Sequence, residues 1–229
     1  MSDASTEFMA EKWYFISDTH LEPKSTWTQH VVNFLRAADA PVIFGGDIIE
    51  GYRRGNTLAK FMSGGELNIE LVMYLLEAGA HGKVVAGNHD DQVMPIATYP
   101  YMLMSPNKGI AALHGQRFDF WFCSPEAENT ADYFSRLAYR LEDSGFPGMG
   151  RVARATRDRW WESHILSWMK KENINVVAAG HTHIPMILNQ RDGRVLAVAG
   201  AWCYGPPYHI VKFDRGLTSL VKWDGEKYV

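Results

Sequence analysis

Cysteine is nearly absent from this chain: two in 229 residues, Cys123 and Cys203, at a separation that fits neither a disulfide framework nor a metal or redox pair. No charge of one sign dominates either. Twenty-three Lys and Arg against 26 Asp and Glu leave a net charge of −3, which excludes bulk electrostatic binding to nucleic acid or anionic membrane and makes any basic site local. No apolar run approaches the roughly 20 residues of a membrane span, and no charged-then-apolar leader opens the chain. The expected setting is cytoplasmic with reduced thiols, and peripheral contact at the inner membrane face stays open. Internal repeats and linker-like composition are lacking too. A single domain over residues 1–229 is therefore expected, with Met1 to Glu11 as a polar tail and 46% hydrophobic residues as ample material for a core.

What the chain does have is a series of short polar motifs, nearly all following an apolar run. Trp13 to Ile16 leads into Asp18-Thr19-His20, Pro41 to Phe44 into Gly46-Asp47-Ile48-Ile49-Glu50, and Lys83 to Ala86 into Gly87-Asn88-His89-Asp90. Ile110 to Leu113 leads into His114-Gly115, and Val176 to Ala179 into Gly180-His181-Thr182-His183. Short β-branched and aromatic runs that end in turn residues read as buried strands. Each motif then sits at the carboxyl end of a strand, where open α/β folds bind their ligands.

Carboxylate, imidazole and amide oxygen are donors suited to Mn²⁺, with Fe²⁺ and Zn²⁺ also accommodated, and the lack of thiolate argues against a structural zinc site. One carboxylate can bridge two ions about 3.5 to 4 Å apart, the spacing that clamps the attacking and leaving oxygens of a phosphoryl transfer. Asp47 is the expected bridge.

Between the motifs, Leu67, Leu71, Leu75 and Ala78, with Val72 and Leu76 beside them, predict a helix ending at Gly79, and a second helix is expected over Gln29 to Ala38. Cys203 to Val229 reads as a hairpin with Ile210, Val211 and Phe213 against Leu217, Leu220 and Val221, free to close a second sheet or to pair with a neighbour.

The ordered motif set resembles the calcineurin-like metallophosphoesterases, over Ile16 to His183. The resemblance implies a four-layer α/β sandwich, two mixed sheets flanked by helices, and two divalent ions at the strand ends. By position it assigns Asp18, His20 and His183 to the first ion and Asn88, His114 and His181 to the second, bridged by Asp47. His89 takes the place of the general acid or phosphate-contacting imidazole and, with Asp90 after it, is a candidate catalytic residue. Glu50 stands where many members have Asp, in contact with His89. The implied reaction is hydrolysis of a phosphoester or pyrophosphate bond by a bridging hydroxide. Within the family, Gly180-His181-Thr182-His183-Ile184-Pro185 and Gly200-Ala201-Trp202, with the long insertion before the last metal motif, resemble the UDP-2,3-diacylglucosamine diphosphatases, which release UMP from a lipid nucleotide. A phosphodiesterase or phosphatase acting on nucleotides, nucleic acid or phosphoprotein is the alternative, and a non-catalytic binding scaffold the remote one.

The insertion, about residues 125–172, reads as a pair of amphipathic helices. Phe134, Leu137, Ala138 and Leu141 mark the first, Gly145 to Gly150 with Pro147 the break, and Trp161, Ile165, Trp168 and Met169 the second. A cap over the metal rim is the functional reading; an ordinary packed pair is the other. Arg151, Arg154 and Arg157, together with Arg53 and Arg54 in the turn after Glu50, are candidates for clamping substrate phosphates, which suits planar bidentate donors. A solvated charged face or docking on anionic lipid are the competing readings.

Overall fold

A computed structural model of the chain describes residues 11–51, 57–90, 102–105, 109–119 and 147–229, with only the backbone for 147–157. Two compact units separate, Met1–His114 with Asn173–Val229, and Gly115–Glu172.

The first unit is built on two mixed sheets. Strands β1 (Lys12–Ile16) and β2 (Val42–Phe44) run parallel, and β1 pairs antiparallel with β8 (Tyr208–Asp214), which pairs with β9 (Leu217–Trp223). In the second sheet β4 (Ile110–Leu113), β5 (Val176–Ala179) and β7 (Val195–Val198) are parallel. They are flanked by antiparallel β3 (Met102–Ser105) and β6 (Met186–Asn189). The terminal hairpin thus closes the sheet of β1 and β2, because the β8 register sets Phe15 opposite Val211 and Trp13 opposite Phe213.

Side-chain alternation along β1 makes the layers. Tyr14 and Ile16 join a core with Val31, Phe34 and Leu35 of α1 (Thr28–Ala37) and Leu71, Val72 and Leu75 of α3 (Glu66–Ala80), the short α2 (Leu58–Met62) adding Phe61. Trp13 and Phe15 point the other way, into a core with Ile110, Ala112, Ala178 and Ala197 of the second sheet. That period of two is what a strand buried on both faces requires. A fully buried aromatic at each such position contributes roughly 1.5 to 3 kcal/mol. The result is an α/β sandwich of two mixed sheets flanked by helices.

Three expectations shift. Helix α3 passes through Gly79 and ends at Ala80, and Gly82, at φ 68°, takes the left-handed conformation beyond it. Leu76 lies outside the buried stripe, 45% exposed. The run Lys83 to Ala86 forms no full strand: Val84 and Val85 pair with Phe44 in a short bridge before the chain turns at Gly87.

In the second unit, a 3₁₀ turn (Gln116–Phe118) and helix α4 (Pro147–Lys171) are described. The described helix includes Pro147, Gly148 and Gly150, so these belong to it rather than to a break. Trp161, Ile165 and Met169 are buried, the Trp161 indole donates to the Gly115 carbonyl at 2.8 Å, and Trp168 lies against Phe118. Trp160 stacks on His164. The first helix expected in the insertion and the tail at 1–10 lie outside the described residues, as do Arg53 and Arg54. So do the side chains of Arg151, Arg154 and Arg157.

Candidate metal centre

Parallel neighbours put their carboxyl ends on one side. In the first sheet, Asp18 and His20 leave β1 beside Asp47 after β2. Backbone bonds from Asp18 N–H to Gly46 and from His20 N–H to Asp47 lock the two turns together. In the second, His114 ends β4 beside His181 and His183 after β5, with Gly180 N–H donating to His114. The turns are unusually tight. Asp18, His20, Asp47, His181 and His183 all have positive φ, between 44° and 74°. Such conformations cost of order 1 kcal/mol or more outside glycine and persist where the surroundings over-determine them. Gly87 and Gly180 carry no side chain for a plain reason: a Cβ at either would collide with the carboxylate of Asp47 or Asp18.

Donor atoms converge around two points. His20 Nε2 lies 3.1 Å from His183 Nε2, and His183 Nε2 lies 3.3 Å from Asp18 Oδ1. Asp47 Oδ2 sits 3.2 Å from His114 Nε2 and 3.8 Å from His20 Nε2, between the two groups. Donors held about 2.1 Å from a common ion stand roughly 3.0 to 3.4 Å apart in octahedral or tetrahedral arrangement, which the three shorter separations match. Among the described residues, three groups are able to hold an ion: Asp18, His20 and His183; Asp18, Asp47 and His114; and His20, Glu50 and His89. His181 enters none of them; its N–H bonds both Asp18 oxygens, and its ring stands 5.3 Å from that of His114. Asn88 lies between Gly87 and His89, the latter donating its N–H to Asp47 Oδ1 at 2.8 Å.

Whether these residues fit a cation can be tested on the molecule itself. Asn88 Oδ1 is buried and has no hydrogen-bond partner, and buried His114 Nε2 faces the Asp47 carboxylate at 3.2 Å without a well-aligned hydrogen bond. Leaving a buried polar atom unsatisfied costs about 1 to 3 kcal/mol, and a dication satisfies a carbonyl oxygen and an imidazole lone pair alike. The field agrees. Burial opposes charge on the His114 imidazole, yet Asp47, Asp18 and Asp90 outweigh it and lift the group to about 9. His20 is raised against burial by Glu50, Asp47 and Asp18. Burial pushes Asp18 up, but His114 and His183 bring it down to about 2, and Asp47 is held below the usual carboxylate range in the same way. The pocket is built to hold positive charge.

Neighbouring groups aim the imidazoles. Each ring's Nδ1 is occupied, His20 by Glu50 at 2.8 Å, His114 by the Gly45 carbonyl at 3.0 Å, His183 by the Tyr204 hydroxyl at 3.1 Å, so each presents Nε2 to the centre. Outer partners of this kind orient metal-binding imidazoles generally. Glu50 also holds His89 Nδ1 at 2.8 Å, as expected, and its carboxyl lies below its ordinary range because the two imidazoles outweigh burial. Ser17, bonded to the Gly45 and Gly46 carbonyls, and Tyr204 were missed in the sequence. Ser17 adjoins the first motif, which is a signal of sorts; Tyr204 has none.

Asp90, grouped with His89 in the sequence, turns away from the donors. It accepts the backbone N–H groups of Asp47, Ile48, Ile49 and Gly87, the last three at 2.8, 3.2 and 2.9 Å. Burial and the charge of Asp47 raise it to about 6 in spite of these donors.

The calcineurin-like phosphoesterase family model matches residues 12–185, more than half of the chain. The chain belongs to this family. Among solved structures, the chain is similar to a dimetal phosphatase from Danio rerio, at 13% identity and TM-score 0.52, covering 95% of this chain and 97% of the other. It is also similar to a point mutant of a cold-active protein tyrosine phosphatase, at 13% identity and TM-score 0.50, covering 100% and 84%. At such identities the likeness speaks for the fold alone. No curated protein matches the chain. Among the described residues, no helix is long and apolar enough to cross a membrane.

Proposed function

We propose that this protein is a two-metal hydrolase of phosphoester or pyrophosphate bonds. The observation that carries the reading is the pair of donor groups that share Asp18, the second of them including Asp47 and His114, with Asn88 Oδ1 buried and without a hydrogen-bond partner beside them. Asp18, His20 and His183 would hold the first ion and Asn88, His114 and His181 the second, with Asp47 shared between them. The N and O donor set suits Mn²⁺ best, then Fe²⁺ or Zn²⁺. When bound, two such ions supply Lewis acidity at the phosphoryl oxygens and acidify a water.

The chain's own residues do the rest. His89 N–H pins Asp47 Oδ1, which leaves Oδ2 turned toward His20 and His114. Glu50 fixes the His89 imidazole through Nδ1, so His89 donates a proton from Nε2 to the leaving oxygen, a contribution typically of about 10² to 10⁴ in rate. Asp90 is a positioning residue, tying the Asp47 turn to the Gly87 turn.

For the substrate we take a lipid nucleotide of the UDP-2,3-diacylglucosamine type, with the segment 125–172 as a cap and Arg53, Arg54, Arg151, Arg154 and Arg157 as candidate phosphate clamps, in a cytoplasmic enzyme that touches the membrane peripherally. The support is the motif string through Pro185 and Gly200-Ala201-Trp202, whose Trp202 is buried and donates its backbone N–H to the Asp18 carbonyl. His89, the residue of general phosphatases and phosphodiesterases at this position, favours the second reading, a nucleotide, nucleic-acid or phosphoprotein substrate. Incubation of the Mn²⁺-loaded protein with UDP-2,3-diacylglucosamine and, separately, with a chromogenic phosphodiester decides between them. UMP release supports the first, diester cleavage alone the second, and neither activity sinks the hydrolase reading.

A further inference from the structure

Glu50 contacts more than the imidazole its sequence position predicts. Its Oε1 accepts from His89 Nδ1 and its Oε2 from His20 Nδ1, both at 2.8 Å. The two rings are nearly perpendicular, at 87°, with centroids 5.0 Å apart, so their N–H groups reach one carboxylate from different directions. The backbone repeats the pattern. Glu50 N–H donates to Leu21, next to His20, and Gly51 N–H donates to His89, each at 3.0 Å. Leu21 and Ile49 form a parallel bridge that holds the two segments side by side.

We infer that Glu50 is a positioning residue shared by the first metal site and the proton donor, holding His20 and His89 as one unit. The inference rests on the two-metal reading. One carboxylate accepting from both Nδ1 atoms fixes both rings with Nε2 outward, as a lone pair toward the ion for His20 and, in the imidazolium form that donation requires, as an N–H toward the leaving group for His89. The residue type matters. Aspartate is shorter by one methylene, about 1.5 Å, and cannot span both rings from the same backbone. Glutamine accepts through one oxygen only, and its amide nitrogen would face the second N–H and repel it. Either change frees at least one ring.

Two readouts test this. In the metal-free protein, ¹H–¹⁵N spectra should show hydrogen-bonded Nδ1–H resonances for both His20 and His89, both displaced in Glu50→Gln. A spectrum in which only His89 responds overturns the shared clamp. The second readout is affinity for Mn²⁺, measured by chelator competition in a His89→Ala background. Outer partners of metal-binding imidazoles are typically worth 10- to 100-fold in affinity, so Glu50→Gln should weaken the first ion by that factor even with His89 gone. An affinity unchanged within about twofold, well below that factor, means Glu50 serves His89 alone and overturns the inference. Glu50→Asp, carried in parallel, covers the case in which the glutamine variant folds poorly; it should weaken the same ion. Fewer than two ions in the wild-type protein would instead count against the two-metal reading, which the metal-free spectra do not depend on.

Discussion

Asn88→Ala should have opposite effects with and without metal. In the metal-free protein, folding strips water from Asn88 Oδ1 and offers it no partner. A buried acceptor left in that state costs about 1 to 3 kcal/mol, a penalty the alanine variant does not carry. For a chain of this length 1 kcal/mol moves the melting temperature by roughly 2 to 4 °C, so the metal-free variant should melt a few degrees above wild type. Metal reverses the order. Free ion at 100 times its dissociation constant stabilises a one-site protein by about 2.7 kcal/mol, and the variant forfeits the share of the second ion, whose ligand it lacks. Differential scanning calorimetry of both proteins, in excess EDTA and in saturating Mn²⁺, reads the two signs directly. A variant destabilised equally in both conditions would refute the assignment of Asn88 Oδ1 as a metal ligand and make it an ordinary packing residue.

His89→Ala should keep both ions and lose about 10²- to 10⁴-fold in kcat, most with poor leaving groups; unchanged turnover of an alkyl phosphodiester would remove its acid role. Metal affinity should rise with pH. The His114 imidazole, lifted to about 9, is protonated at neutral pH in the metal-free protein, and the ion must displace that proton. Each pH unit between 7 and 9 should then tighten binding about tenfold, and a flat profile in chelator-buffered titrations would contradict it. The sign is opposite for metal-free stability: because the folded value exceeds the unfolded one near 6.5, the His114 contribution is complete below 6.5 and disappears as pH rises through 9, which denaturant titrations at pH 6 and 9.5 would show. Asp90→Ala strands four backbone N–H groups and should cost about 3 to 5 kcal/mol; a loss under about 1 kcal/mol would mean the two turns hold without it.

The candidate site was legible in the sequence because its proposed ligands sit one to four residues beyond buried strands, and runs such as Trp13 to Ile16 and Val176 to Ala179 announce themselves by composition. Order along the chain then coincides with adjacency in each sheet, β1 beside β2 and β4 beside β5. The run before Asn88 was over-read, since Val84 and Val85 find only the last residue of the three-residue strand β2 to pair with. Partners that come from distant segments left no trace in spacing. Tyr204 meets His183 across 21 positions, and the Gly45 carbonyl meets His114 across 69. Nor does composition reveal that Asp18, His20 and Asp47 turn left-handed, because aspartate and histidine tolerate that region without a glycine to mark it. The terminal hairpin was recognisable as a hairpin, but its sheet was decided by the antiparallel register with β1, a tertiary match.

The most direct test of the central claim is the metal content of the purified protein after equilibration with Mn²⁺ and removal of free ion, measured by mass spectrometry alongside phosphodiester hydrolysis on the same sample. The account predicts two ions per chain, with hydrolysis lost on chelation and regained on adding Mn²⁺. Full hydrolysis with one ion per chain, or undiminished hydrolysis after chelation, would contradict it.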